Sequence, residues 1–270
     1  MAKPLGVQLY TVRDHMRSGR DEVLRRIAEI GYGAVEAFDP ADDPKGLRRS
    51  ADDLGLAVPA THAHALLTGD PDAVFDAAAV LGAGLLVVPA GIPHEEFTTR
   101  DGIARTADLL NGLAERAAGY GMRLGYHNHW WEIEPRVDGA HAVEALARAL
   151  VPEVFLEIDT YWAAVGGADV PALLGRLGGR VLALHVKDGP GVRDAPHTAV
   201  GEGVMNVPAV LAAAPDAWRI VELDHCATDV FDALAASHAY LSGLADSGPP
   251  GPSGPSKASP ATGVSRLERA

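Results

Sequence analysis

From Leu177 to Asp188 the chain reads LGGRVLALHVKD, and the fold turns on how that segment is understood. The two glycines can end a helix, since glycine adopts a left-handed cap at no steric cost. Val181–Leu184 is then apolar at every position, as a strand is when both faces of its sheet are covered. The run finishes in polar residues: His185, Lys187 and Asp188. The same order recurs in GAVEAF (33–38), DDLGLAVPATH (52–62), AVLGAGLLVVPA (79–90), AAGYGMRLGYHNH (117–129), LVPEVFLEID (150–159) and PDAWRIVELDH (215–225). With the opening LGVQLY (5–10) there are eight candidate strands, each followed by room for a helix.

The intervening stretches have helical spacing. Val23, Leu24, Ile27 and Ile30 fall on one face of the first, and Gly31 stands where a left-handed cap is expected. A last helix is expected through roughly residues 231–244. Such alternation implies a parallel sheet covered by helices. An open doubly wound sheet would alternate too. Eight units in about 245 residues, with no Gly-rich dinucleotide fingerprint after the first strand, favour closure into a (β/α)8 TIM barrel. The expected domain is residues 1–246. From Ser247 the composition changes to SGPPGPSGPSKASPATG, so residues 247–270 are expected to form a disordered Pro/Gly/Ser-rich tail.

Composition narrows the partners. A formal net charge of −13 argues against nucleic acid and anionic membranes, which need clustered cations. It leaves a phosphorylated sugar open, since two local cations would suffice. The single cysteine, Cys226, cannot form an internal disulfide, and no apolar run approaches the ~20 residues needed to cross a bilayer. MAKPLGVQLY lacks the pattern of a signal peptide. The expectation is a cytoplasmic protein with a small-molecule partner, compatible with a homo-oligomer.

Alternate strand residues share a face, and polar residues close strand after strand. Gln8 ends the first, Glu36 the second and His62 the third, with His64 two residues on. His127 and His129 pair on the fifth, Glu157 and Asp159 on the sixth, His185 and Lys187 on the seventh, Glu222 and Asp224 on the eighth. Burying that many ionisable groups is costly for structure alone, and the C-terminal strand ends are where barrel enzymes build their sites. Asp159, His185 and Glu222 end consecutive strands and would converge on one point in a closed barrel. One imidazole with two carboxylates suits Mn²⁺, Co²⁺, Mg²⁺ or Zn²⁺, with a fourth ligand expected from the fifth strand. Trp130 and Trp131 follow the fifth strand and Trp162 the sixth; their rings suit the C–H face of a sugar. Gln8, Glu36 and His62 are expected to meet the same substrate. Taken singly, a histidine such as His64 or His225 is more often a hydrogen-bonded structural group than a ligand, and Lys187 with Asp188 has a structural explanation as a surface ion pair.

At HNH (127–129), EIDTYW (157–162), HVKD (185–188) and VELDH (221–225) the chain resembles the xylose-isomerase-like sugar isomerase/epimerase family of TIM barrels. QLYTVR (8–13), GYGAVE (31–36) and GEG (201–203) resemble it as well. The resemblance implies a metal held by Asp159, His185 and Glu222. The chain departs from it on the fifth strand, where His127 stands in place of a glutamate of the family pattern. Either His127 or Glu132 then supplies the fourth ligand. The resemblance also implies proton abstraction beside a metal-polarised carbonyl, with isomerisation, epimerisation or elimination as the outcome. Proton transfer is expected of His127 and His129, with Glu132, Glu157 or Lys187 as the complementary group. A silent sugar-binding barrel and an abasic-site endonuclease are the alternatives; the acidic charge weighs against the second.

Overall fold

In the computed structural model, which describes residues 3–246, the eight candidate strands all form. They are β1 (Gly6–Gln8), β2 (Ala34–Glu36), β3 (Ala60–His62), β4 (Leu85–Val88), β5 (Arg123–His127), β6 (Phe155–Asp159), β7 (Val181–Val186) and β8 (Trp218–Val221). They hydrogen-bond side by side in the order β2-β1-β8-β7-β6-β5-β4-β3, every pair parallel. The remaining seam, between β2 and β3, is spanned by parallel bridges from Ala34 to Ala57 and from Ala37 to Thr61. The barrel therefore closes almost completely, as the alternation implies.

Helices pack around it because their apolar stripes find the outward faces of buried strands. The helix after β1, α1 (Arg13–Ile30), buries Val23, Leu24 and Ile27 and ends at Gly31, whose φ of 116° is open to glycine and strained for other residues. The last helix, α2 (Val230–Asp246), follows β8. The main core runs between strands and helices, through residues such as Val35, Leu86, Leu156 and Leu184. Sequence periodicity does not disclose a small antiparallel hairpin, Arg136–Val137 against Ala140–His141, inserted after β5. The strands are also shorter than the alternation suggests: β3 stops at His62 and β5 at His127, leaving His64 and His129 in the loops beyond. The tail expected at residues 247–270 lies outside the described residues. Among the described residues, no helix is long and apolar enough to cross a membrane.

One irregularity bears on the site. Between Leu156 and Glu157 the pairing of β6 with β7 shifts, Leu156 facing Val181 and Glu157 facing Ala183. A bulge of this kind re-aims the residues after it. It brings Asp159 opposite His185.

Candidate active site

A cavity of about 770 Å³ opens at the C-terminal end of the barrel. Lys187, His127 and Glu222 lie at its charged end, and Trp130, Trp131 and Trp162 form much of an aromatic wall. Trp130 lies 4.5 Å from Trp131 and 5.0 Å from Trp162, centroid to centroid. His129 stacks on Trp131 at 4.0 Å, and the far side of the same indole carries His94 at 4.1 Å. The three tryptophans and His62 therefore stand where the sequence suggests, on a surface that a ligand could reach.

Behind the wall the polar residues lie in two tiers. Residues two apart on a strand share a face but differ in depth by about 6.6 Å. In the outer tier Lys187 Nζ reaches Asp159 Oδ2 (2.9 Å), Glu222 Oε2 (2.7 Å) and Asp224 Oδ2 (2.9 Å). Burial opposes the lysine's charge, but these three carboxylates outweigh it and hold its pKa well above the ordinary value. Lys187 and Asp188 are thus not a surface pair. Asp188 is buried and accepts from the backbone N–H groups of Gly189, Gly201 and Met205, clasping the GEG turn. A Cβ on Gly203 would come within 2.1 Å of that carboxylate.

The inner tier comprises Gln8, Glu36, His62, Glu157 and His185. Gln8 Nε2 donates to Glu36 Oε2 at 2.8 Å, and His185 Nε2 meets the same oxygen at 2.7 Å. Glu157 Oε2 receives His62 Nε2 at 2.8 Å and His127 Nδ1 at 3.1 Å. Burial and the neighbouring Glu157 push Glu36 up to about 7; burial likewise raises Glu157. Burial lowers His62 to about 4 and, with Lys187 adding to it, His129 to about 3. Burial, helped by His185, also depresses His127. For His185 burial is overcome by Glu157 and Glu222, which keep the ring protonated. Burial raises Asp159 to about 6 against the pull of Lys187, while Glu222, despite burial, is held low by Lys187 and His185.

These placements correct four sequence expectations. Gln8 and Glu36 are fully buried partners of each other and stand apart from the residues that line the cavity. Glu157, a candidate proton carrier, also lies behind the wall. Glu132 turns away: its carboxylate accepts from Tyr126 OH at 2.6 Å and from His129 N at 2.8 Å. It is not brought to Asp159, His185 and Glu222, whereas His127 is. The structure adds residues that the sequence does not single out. His197, from the loop after β7, packs 4.7 Å from Tyr161 and lines the cavity, its Nδ1 accepting from Asp224 N at 3.1 Å. Tyr10, Phe38 and Arg193 line it too. The signal available for His197 was the length of that loop at the barrel's C-terminal face.

Two overlapping donor groups could hold a cation. His127, Asp159, His185 and Glu222 form one; His62, His127, Glu157 and His185 form the other; within each, the ligand atoms lie within 4.8 Å of one another. Unsatisfied polar atoms test the fit. Asp159 Oδ2 is buried without a hydrogen bond, its contact with Lys187 lacking the alignment for one, and Glu36 Oε1 and Glu157 Oε1 are likewise unpartnered. His127 Nε2 stands 3.9 Å from Asp159 Oδ2, too far for a hydrogen bond. Two imidazoles and two carboxylates are a donor set that first-row divalent ions and Mg²⁺ accept.

Comparison with known proteins bears on most of the chain. The family model described as xylose isomerase-like TIM barrel matches residues 24–224. An inosose dehydratase of Geobacillus kaustophilus is 27% identical over 194 residues, 63% of this chain. The chain spans 62% of that relative's length. Among solved structures, a sugar phosphate isomerase/epimerase from Parabacteroides distasonis superposes with a TM-score of 0.76 at 23% identity, covering 89% of this chain and 94% of its own. An IolI protein with a bound zinc atom superposes with a TM-score of 0.70 at 14% identity, covering 91% and 99%. At those identities the two structures speak to the fold.

Proposed function

The chain belongs to the xylose isomerase-like TIM barrel family, and on that premise we propose that it is a metal-dependent isomerase or epimerase of a sugar or keto sugar. The observation that carries the reading is the convergence of His127, Asp159, His185 and Glu222 at the foot of a cavity walled by tryptophan. Those four residues would hold one divalent cation. When bound, the cation supplies Lewis-acid polarisation of the substrate carbonyl.

The remaining steps fall to the chain's own groups. Trp130, Trp131 and Trp162 take the C–H face of the sugar and keep water from the reacting carbons. His129, held neutral, accepts the proton from the carbon beside the carbonyl. Lys187 Nζ, held protonated, donates to the oxygen on which charge gathers. For an epimer, a proton reaches the same carbon on its opposite face from a second donor and the enol oxygen returns its proton to Lys187. For an isomer, the proton returns to the former carbonyl carbon and the neighbouring hydroxyl gives up its proton to Lys187. A free sugar fits better than a phosphate ester. Among the described residues, the lysine and arginine lining the cavity are Lys187 and Arg193. The first already faces three carboxylates; the second is paired with Glu134 and covers Trp130.

The inosose dehydratase relative favours a second reading, in which the same first proton transfer is followed by loss of water. One experiment separates them: keto sugars and keto-inositols incubated in deuterated water with Mn²⁺ and, in parallel, with excess chelator. Deuterium gained beside the carbonyl with carbon skeleton and oxygen count kept supports isomerisation or epimerisation. A product lighter by one water supports the dehydratase. Turnover undiminished in chelator would overturn the metal-dependent mechanism for both.

A further inference from the structure

Both histidines of the proposed metal set face a carboxylate on each edge. His127 presents Nδ1 to Glu157 Oε2 at 3.1 Å and Nε2 to Asp159 Oδ2 at 3.9 Å. His185 presents Nε2 to Glu36 Oε2 at 2.7 Å and Nδ1 to Glu222 Oε2 at 2.7 Å. Each ring thus has one nitrogen on an inner carboxylate and the other on an outer one. The two candidate donor groups share these rings, so an ion in either uses one edge of each ring and leaves the other edge to a carboxylate. Glu36 Oε2 already accepts from Gln8 Nε2, and Glu157 Oε2 faces two imidazoles, so these oxygens act as acceptors and the ring nitrogens on them carry the hydrogen.

We infer, resting on the proposed metal dependence, that Glu157 and Glu36 are positioning residues. They hold the inner N–H of His127 and His185 and so commit His127 Nε2 and His185 Nδ1 to an ion at the outer set with Asp159 and Glu222. Donor chemistry separates the two sets, since each has two members bordering the cavity, His127 and Glu222 in the outer and His62 and His127 in the inner. The outer set offers two carboxylates and two imidazoles, the inner one carboxylate and three imidazoles, and hard divalent ions favour the set richer in carboxylate. Carboxylates on the far nitrogen of a metal-bound imidazole fix its tautomer and orientation and raise its basicity. Gln8 extends the arrangement, since its amide fixes the Glu36 oxygen that His185 meets. The geometry accounts for three buried polar residues on strands β1, β2 and β6 that do not touch the cavity.

The test is Co²⁺ titration of the full chain, followed by its visible ligand-field bands, for the wild type and for Glu36→Gln, Glu157→Gln, His62→Gln and Asp159→Asn. Melting of each ion-free variant reports folding. Should either glutamine variant fail to melt cooperatively, Glu36→Asp or Glu157→Asp, which keeps the charge and shortens the arm, takes its place. The wild type should bind one ion and Asp159→Asn none. Glu36→Gln and Glu157→Gln should each keep one ion, bound about 10–100-fold more weakly and with shifted bands. His62→Gln should lose less than tenfold. Wild-type affinity and bands in both glutamate variants would overturn the positioning role while leaving the metal in place. Retention by Asp159→Asn, with loss from His62→Gln and Glu157→Gln, would overturn it in favour of the inner set. A wild type that takes no Co²⁺ would remove the metal-dependent function itself, and this inference with it.

Discussion

The two halves of the barrel are built alike and used differently. Strands β5 and β6 end in His127 and Asp159; His185 is the last residue but one of β7, Glu222 follows directly on β8, and Lys187 and Asp224 stand just beyond. Strands β1 to β4 end in Gln8, Glu36, His62 and Val88. In the first half, Gln8 and Glu36 turn inward: Gln8 holds Glu36, Glu36 holds His185, and His62 holds Glu157. In the second half the side chains meet one another and the cavity. A repeated architecture thus gathers the candidate ligands on one side, and the opposite side supplies hydrogen bonds that orient them, joined by Glu157 of β6 on His127.

The largest effect that would break this division lies in the second half. Asp159→Asn and Glu222→Gln are each expected to take bound metal from one ion per chain to none and activity below detection, measured by elemental analysis beside turnover. An equal loss from Gln8→Ala would show that the halves are not specialised. Next comes His129→Gln, which should lower kcat about 10²–10⁴-fold with metal content kept, as removal of a positioned proton acceptor does. A rate within threefold of wild type would move proton transfer elsewhere. Smaller again is the aromatic wall: Trp162→Ala should raise KM several-fold. Trp162 Nε1 also donates to Asp224 Oδ2 at 3.1 Å, so a modest fall in Tm accompanies the KM change. A large fall in Tm with normal KM in the folded fraction would make the wall a packing feature.

The sequence carried the fold because burial on both faces writes itself into strands as continuous apolar runs, and eight such runs are legible in 270 residues. It also carried the candidate outer ligands, which stand at or next to the ends of consecutive strands. It did not carry depth. Alternation says that Glu157 and Asp159 face the same way; it is silent on which of them reaches the cavity and which lies one tier below. For the same reason Gln8 and Glu36 read as substrate contacts, whereas they lie buried and hydrogen-bonded to each other. Glu132 lies in the loop after β5, and loop conformation leaves no period to read. Its turn toward Tyr126 OH and His129 N follows from tertiary contacts.

That buried loop carboxyl yields the smallest of the expected effects, and it sharpens the contrast between a structural acid and a reacting one. Burial raises Glu132 from 4.5 to about 7. A raised folded-state pKa means that the folded chain binds the proton more tightly. The stability so gained is complete below 4.5 and is lost as pH rises through about 7. The difference is on the order of 3 kcal/mol. Between pH 5 and 8 the wild type should therefore lose several degrees of Tm that Glu132→Gln does not lose. Parallel melting curves for the two proteins would contradict it.

The central claim is that one divalent ion sits at the outer ends of β5 to β8. Crystals of the full chain soaked in Mn²⁺ or Zn²⁺ and measured at the metal's absorption edge test it directly. A single anomalous peak within bonding distance of His127, Asp159, His185 and Glu222 is the result expected. No peak, or a peak among His62 and Glu157 with Asp159 and Glu222 unliganded, would contradict it.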